Sequence, residues 1–251
     1  MERDQESVQE QPQAKENDIS EAHSVDMSLN CRQSFIRNVY LTFWLQQIAI
    51  YLFAYYSIKT PMLREFEAKQ VWVLVLISVF VIVLYCYLFS NKIETRKQIN
   101  KFIWIFVVTL TQGYVISAFC CIISNKINNG NLFIQYLLFM NGIMILGLYL
   151  FTQFYPKDFK IGESFLFCFF FGLIQSAFLI YLYRDDIKFI FISLCLILAY
   201  SFYLIYDMKC IVEYKRYSVG KDDYILGVFI LNIDVFILPI EFHKYLKDGK
   251  K

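Results

Sequence analysis

Gln70–Asn91 reads QVWVLVLISVFVIVLYCYLFSN, twenty-two residues without a charge between Lys69 and Lys92. The hydrocarbon core of a bilayer takes about 20 helical residues. Apolar side chains occupy every face of this run, and it lacks the polar–apolar alternation of a barrel strand. In lipid a backbone must satisfy its own hydrogen bonds, which leaves the helix as the spanning structure. This one stretch decides the class of the whole chain.

Similar charge-free stretches lie at Asn38–Ile58, Phe102–Asn125, Ile127–Pro156 and Ser164–Tyr183. Two further apolar segments contain or meet an acid: Phe189–Tyr206 runs into Asp207, and Tyr224–Ile240 is interrupted by Asp234. The expected fold is therefore an all-α membrane protein with seven spans, joined by short connections that make consecutive helices antiparallel neighbours. Composition agrees. Of 251 residues 58% are hydrophobic, with 26 Phe and 19 Tyr, and only 18% are charged, against about 25% in an average soluble domain. Disordered, collagenous, solenoid and small disulfide-stapled classes are excluded.

The net charge of +2 conceals a division. Residues 1–37 hold eight acids and four bases, a balance of −4, so the remainder carries +6. The acidic stretch has almost no large apolar residue before Phe35. It cannot bury enough surface to offset chain entropy. It also lacks the basic and apolar regions of a signal peptide. The expected division is a disordered acidic cytosolic tail over 1–34, a seven-helix transmembrane domain over 35–246, and a short basic tail over 247–251. With the N-terminus in the cytosol, inner segments hold twelve Lys and Arg and outer ones six, before the C-terminal lysines are assigned. That bias favours a cytosolic N-terminus. The last segment is read as a full span, because Asn232, Asp234 and Pro239 suit a site enclosed by protein. A re-entrant segment would instead return Lys244, Lys247, Lys250 and Lys251 to the inner side.

Acids at membrane depth cost roughly 2.5–3.5 kcal/mol each and tend to be functional. Asp207 and Asp234 are the two candidates. The midpoint between them falls at Gly220–Lys221, within the turn-forming stretch Ser218–Asp222. A hairpin about that turn would set both carboxylates at one level. Facing acids in a low dielectric cannot both ionise cheaply, so such a pair would share a proton and sense cytosolic pH. When ionised it would suit a hard cation such as Ca²⁺, held transiently by Asp207 and Asp234 as a transported or regulatory ion. The plainer alternative puts Asp207 near the interface and satisfies Asp234 through Asn232 or backbone.

Gln46, Gln47, Gln112, Asn141, Gln175 and Asn232 are candidate path-lining residues, with hydrogen bonding between helices as the ordinary alternative. Gly113, Gly142, Gly147 and Gly172 are expected to allow close helix packing, and Glu163, Asp222 and Asp223 to begin helices. The seven cysteines form no CxxC pair, and packing is their expected role. His23 and His243 fall outside the spans, and no Gly-rich phosphate loop, HExxH or GxSxG occurs. The chain is not expected to be an enzyme. Tyr206-Asp207 superficially fits one half of an aspartyl intramembrane protease motif, but Asn232-Ile233-Asp234 does not fit the other. Nor is nucleic acid an expected partner or any resident cofactor expected.

Four stretches, in order, resemble the transmembrane Bax inhibitor motif family, especially its lifeguard branch. Ser34-Phe35-Ile36-Arg37-Asn38-Val39-Tyr40, followed by Gln46 or Gln47, is similar to the family's start of helix one. Phe151-Thr152-Gln153 with Lys157-Asp158-Phe159 is similar to its link between helices four and five. Leu204-Ile205-Tyr206-Asp207 resembles its helix-six motif, and Asp223–Gly227 through Leu231–Asp234 its helix-seven signature. The likeness covers roughly residues 34–246. It implies a seven-helix bundle whose last helix is enclosed by the first six. It further implies a calcium leak from endoplasmic reticulum or Golgi stores that restrains cell death, gated by a proton-sensitive pair at Asp207 and Asp234. The chain departs from the pattern at Met208-Lys209, where the family has Thr-Gln, and at Asn141-Gly142, usually Ala/Thr-rich. It also has no base within Val71–Ser90, where bacterial relatives carry an arginine. A non-conducting adaptor that binds death-receptor or Bcl-2-type proteins through the acidic tail is the alternative function, and a proton-coupled transporter a third.

Overall fold

The structure, a computed structural model, describes residues 29–90, 98–127, 129–154, 160–184, 187–212 and 223–233. Among them are eight helices and no strand: α1 Leu29–Lys59, α2 Pro61–Lys69, α3 Val71–Ser90, α4 Gln98–Lys126, α5 Gly130–Phe154, α6 Ile161–Leu182, α7 Ile187–Val212 and α8 Tyr224–Ile233. Five of these (α3 to α7) are long and apolar enough to cross a membrane. That is fewer than the seven spans expected. The first helix is long enough, at 31 residues, but Arg32, Gln33, Arg37, Gln46 and Gln47 dilute its apolar content. The last is described over ten residues only.

Two boundaries differ from expectation. The first helix begins at Leu29, inside the stretch read as tail, because extending a helix from the packed Phe35 and Ile36 costs little once the first turn exists. The second is α2, which the sequence reading passes over as a loop. Pro61 stands at its first position, where proline's missing N–H and preset φ favour helix initiation. Its apolar side chains Met62, Leu63 and Phe66 point outward while Glu67 is buried. Such inversion suits a helix lying at a membrane surface. The long helices present the same picture, with Leu76, Ile82, Phe106 and Ile174 on the outside.

α1 is the hub, packing along α4 and α5, while α7 packs on α5 and α6. The α8 segment lies between two apolar clusters. Leu226, Val228, Ile230 and Leu231 belong to the larger, with Phe35, Val39 and Tyr40 of α1 and Leu204 and Met208 of α7. Ile225 and Phe229 join the other, with Leu84, Tyr85 and Leu88 of α3. Ile225 to Asn232 are all buried, on every face of the helix. Between helices in lipid the hydrophobic effect is weak, and close van der Waals fit supplies the association. Gly227 allows that fit. A Cβ there would stand 2.8 Å from Val39 Cγ2 and 3.0 Å from Phe35 Cζ. Among the glycines expected at close crossings, Gly147 and Gly172 are tight, whereas Gly113 and Gly142 have ordinary room.

Candidate functional site

α7 carries Asp207 five residues before its last described residue, Val212, on a face otherwise lined by Leu204, Met208 and Ile211. Asp207 is wholly buried. Tyr40 of α1 is its electrostatic neighbour, and the Tyr40 hydroxyl also donates to the Leu204 carbonyl at 3.5 Å. Asp234 lies outside the described residues. What is described of the α7–α8 register is one bond: the Tyr203 hydroxyl donates to the Leu231 carbonyl at 3.0 Å. A hairpin centred between residues 220 and 221 would set Tyr203 level with residue 238. The tyrosine's length spans part of that offset, but the observed level is several residues nearer the start of α8.

A polar relay also crosses the bundle. The Asn232 amide of α8 donates to Gln46 Oε1 of α1 at 3.0 Å, and also to the Val228 carbonyl at 2.9 Å. The Gln46 amide donates to Gln112 Oε1 of α4 at 3.0 Å. The Gln112 amide donates to the Tyr85 hydroxyl of α3 at 2.5 Å. Four helices are thus stitched by three amides and a phenol, and the Gln46 and Gln112 amides each use both ends. Such a chain can orient water or an ion at its edge, and it fixes how α8 sits in the bundle.

The expected path-lining residues therefore divide. Gln112 and Asn232 meet in the relay, and Gln46 rather than Gln47 completes it. Gln47 is buried alongside. Asn141 is elsewhere, hydrogen-bonded to the Tyr51 hydroxyl. Gln175 is buried in α6, and neither end of its amide has a partner among the described residues. None of the seven cysteines is in a disulfide, and four of them are buried. Among the described residues no three His, Cys, Asp or Glu side chains converge as a metal cage. Asp223 directly precedes α8, and Glu163 lies in the first turn of α6, 3.7 Å from the Lys160 ammonium. Both stand at helix starts as expected.

The sequence reading missed another buried acid. Glu67 of α2 is 3% exposed. Its Oε1 accepts from the Ser57 hydroxyl of α1 at 2.9 Å. Its Oε2 accepts from the Ser117 hydroxyl at 2.5 Å and the Cys121 thiol at 3.4 Å, both on α4. Glu65, two residues earlier, is exposed and pairs with Lys69 at 3.0 Å; the ammonium holds its carboxyl below the usual range. Ser117 and Cys121 are four apart, one turn of a helix, which is the signal that could have found the donors. Nothing local says which glutamate they receive.

Tyr40 to Ile58 is eighteen residues along α1, about 27 Å at 1.5 Å per residue. Asp207 and Glu67 therefore sit near opposite ends of the bundle.

A family model described as "Inhibitor of apoptosis-promoting Bax1" matches residues 32–251. No curated protein and no solved structure matches the chain.

Proposed function

The chain belongs to the Bax inhibitor family, and from that premise we propose that it is a pH-sensitive calcium leak of an intracellular store. Membership fits a multi-pass membrane protein that restrains apoptosis. In the proposed mechanism a lower store calcium load weakens the death signal. The membrane is that of the endoplasmic reticulum or Golgi, the N-terminus is cytosolic, and the last helix completes a seven-span bundle inside the other six.

One observation carries the reading. Asp207 is wholly buried inside a helix apolar and long enough to span a membrane, where an acid is costly enough to need a purpose. Asp207 and Asp234 share a proton in the closed state. As the cytosolic side becomes more alkaline the pair loses that proton, the two charges repel, and α7 and α8 part to admit Ca²⁺ to the carboxylate oxygens. The amides of Asn232, Gln46 and Gln112 hold α8 in register, and the proposed route runs beside them.

The test is Ca²⁺ release from proteoliposomes, with the cytosolic-side pH stepped from about 6 to about 8 across the range of a raised carboxylate pair. Release should climb with pH in the native protein. In Asp207→Asn and in Asp234→Asn it should become independent of pH. A pH-dependent release that survives either substitution would refute the gate. A chain lacking residues 1–33 that releases calcium normally yet no longer protects cells would favour the adaptor instead.

A further inference from the structure

We propose that the end of the bundle remote from Asp207 binds one anionic phospholipid, its phosphate held by Lys59 and Arg64 and one acyl chain laid between α1, α5 and α6. Two adjoining cavities carry this. The first, of about 490 Å³, is polar and lies where α1, α2 and the α4–α5 turn meet. Lys59, Arg64, Ser124, Asn129, Asn131 and Gln135 line it, and none of its described lining residues is acidic. Asn129, at φ 59°, turns the chain here, and the Ser124 hydroxyl bonds the Asn131 side chain.

The second cavity, of about 530 Å³, is apolar and shares Ile58 and Gln135 with the first. It runs along α1 from Ile58 to Trp44. Fourteen residues of helix are about 21 Å, enough for a chain reaching the midplane of a core about 30 Å thick. Its mouth is formed by side chains on the lipid-facing exterior, Leu52, Phe139 and Phe178 among them. A bilayer leaflet supplies the occupant directly.

Charge complementarity selects which lipid. An apolar groove alone accepts any chain, but two bases without an acid favour a headgroup whose phosphate is not already neutralised by its own cation. The Lys59 ammonium lies 5.7 Å from the centre of the Tyr55 ring, so one lysine joins the polar cavity to the groove wall. Arg64 is carried by α2, whose seat on α1 and α4 is set by Glu67. Lipid binding at this end does not depend on the Asp207–Asp234 gate.

Trp44 lines the deep end of the groove, which provides a reporter. In the full chain with Trp72→Phe and Trp104→Phe, Trp44 is the remaining tryptophan. Phosphatidylglycerol brominated near the chain ends, diluted into phosphatidylcholine vesicles, should quench Trp44 at a mole fraction at least about tenfold lower than phosphatidylcholine brominated in the same place. Lys59→Gln with Arg64→Gln should erase that preference while leaving residual quenching by both lipids. Ile48→Phe with Ile143→Phe, which narrows the groove, should reduce quenching by both. Excess inorganic phosphate should not displace the lipid. Equal quenching by the two lipids in the native chain would mean annular contact only and would overturn the proposal. So would a preference untouched by removing both bases. Displacement by inorganic phosphate would assign the basic cavity to a soluble anion, and would overturn it as well.

Discussion

Glu67 and Asp207 are both carboxyl groups shut inside a membrane bundle, near its opposite ends, and they are built differently. Glu67 is surrounded by donors: two serine hydroxyls and a thiol from α1 and α4 converge on its two oxygens. It joins three elements and holds a short helix down. Asp207 shares a face of α7 with Leu204, Met208 and Ile211, which belong to one apolar cluster, and Tyr40 is its electrostatic neighbour. Burial alone does not assign a role to an acid. The groups brought to face it do, and for Glu67 they make the acid a clasp.

Glu67→Ala leaves three buried donors without their acceptor, so it should destabilise the protein by about 2–3 kcal/mol, read as a fall in melting temperature in detergent. A melting temperature equal to the native one would end the idea that Glu67 is a clasp. Next comes the seat of α8. Gly227→Leu drives a side chain into Val39 and Phe35 and should cost about 1–3 kcal/mol, whereas Gly113→Ala, where there is room, should be far milder. Gln46→Leu cuts the relay at its middle and loses two bonds worth roughly 0.6 kcal/mol each, about 1 kcal/mol in all by the same melting assay. Asp207→Asn should change stability less than Glu67→Ala while removing the pH dependence of calcium release. If it unfolds the protein instead, Asp207 belongs with Glu67 as a structural acid. Smallest of all, Glu65→Gln removes an exposed partner of Lys69 and should leave melting unchanged, because exposed ion pairs contribute little.

Asp207 was legible because of its background. It ends an apolar run long enough to span a membrane, and a charge against such a run stands out. Glu67 was not, because Pro61–Lys69 has four charges in nine residues and reads as a solvated loop. Glu65 and Glu67 differ by about 200° around a helix, and only the docking of α2 onto α4 decides which faces in. The basic cavity was hidden for the same reason. Lys59 and Arg64 counted in the sequence only as loop charges that orient the chain, yet the turn at Asn129 brings amides from residues 129–135 to face them.

The long uncharged runs set both their own solvent and their own secondary structure. Long uncharged runs must lie in lipid, and in lipid they must be helices, since each backbone group has to be paired within its own segment. That argument is local, so it needs no knowledge of neighbours. The tertiary structure alone decided that Gln46 and not Gln47 joins Asn232 and Gln112, that Gly227 is where α8 meets α1, and that Glu67 is buried. A hydrogen bond reaches about 3 Å, so it discriminates between adjacent residues that composition treats alike. The partners it joins here stand 66 and 186 residues apart in the chain, and only the packing of whole helices brings them within that distance.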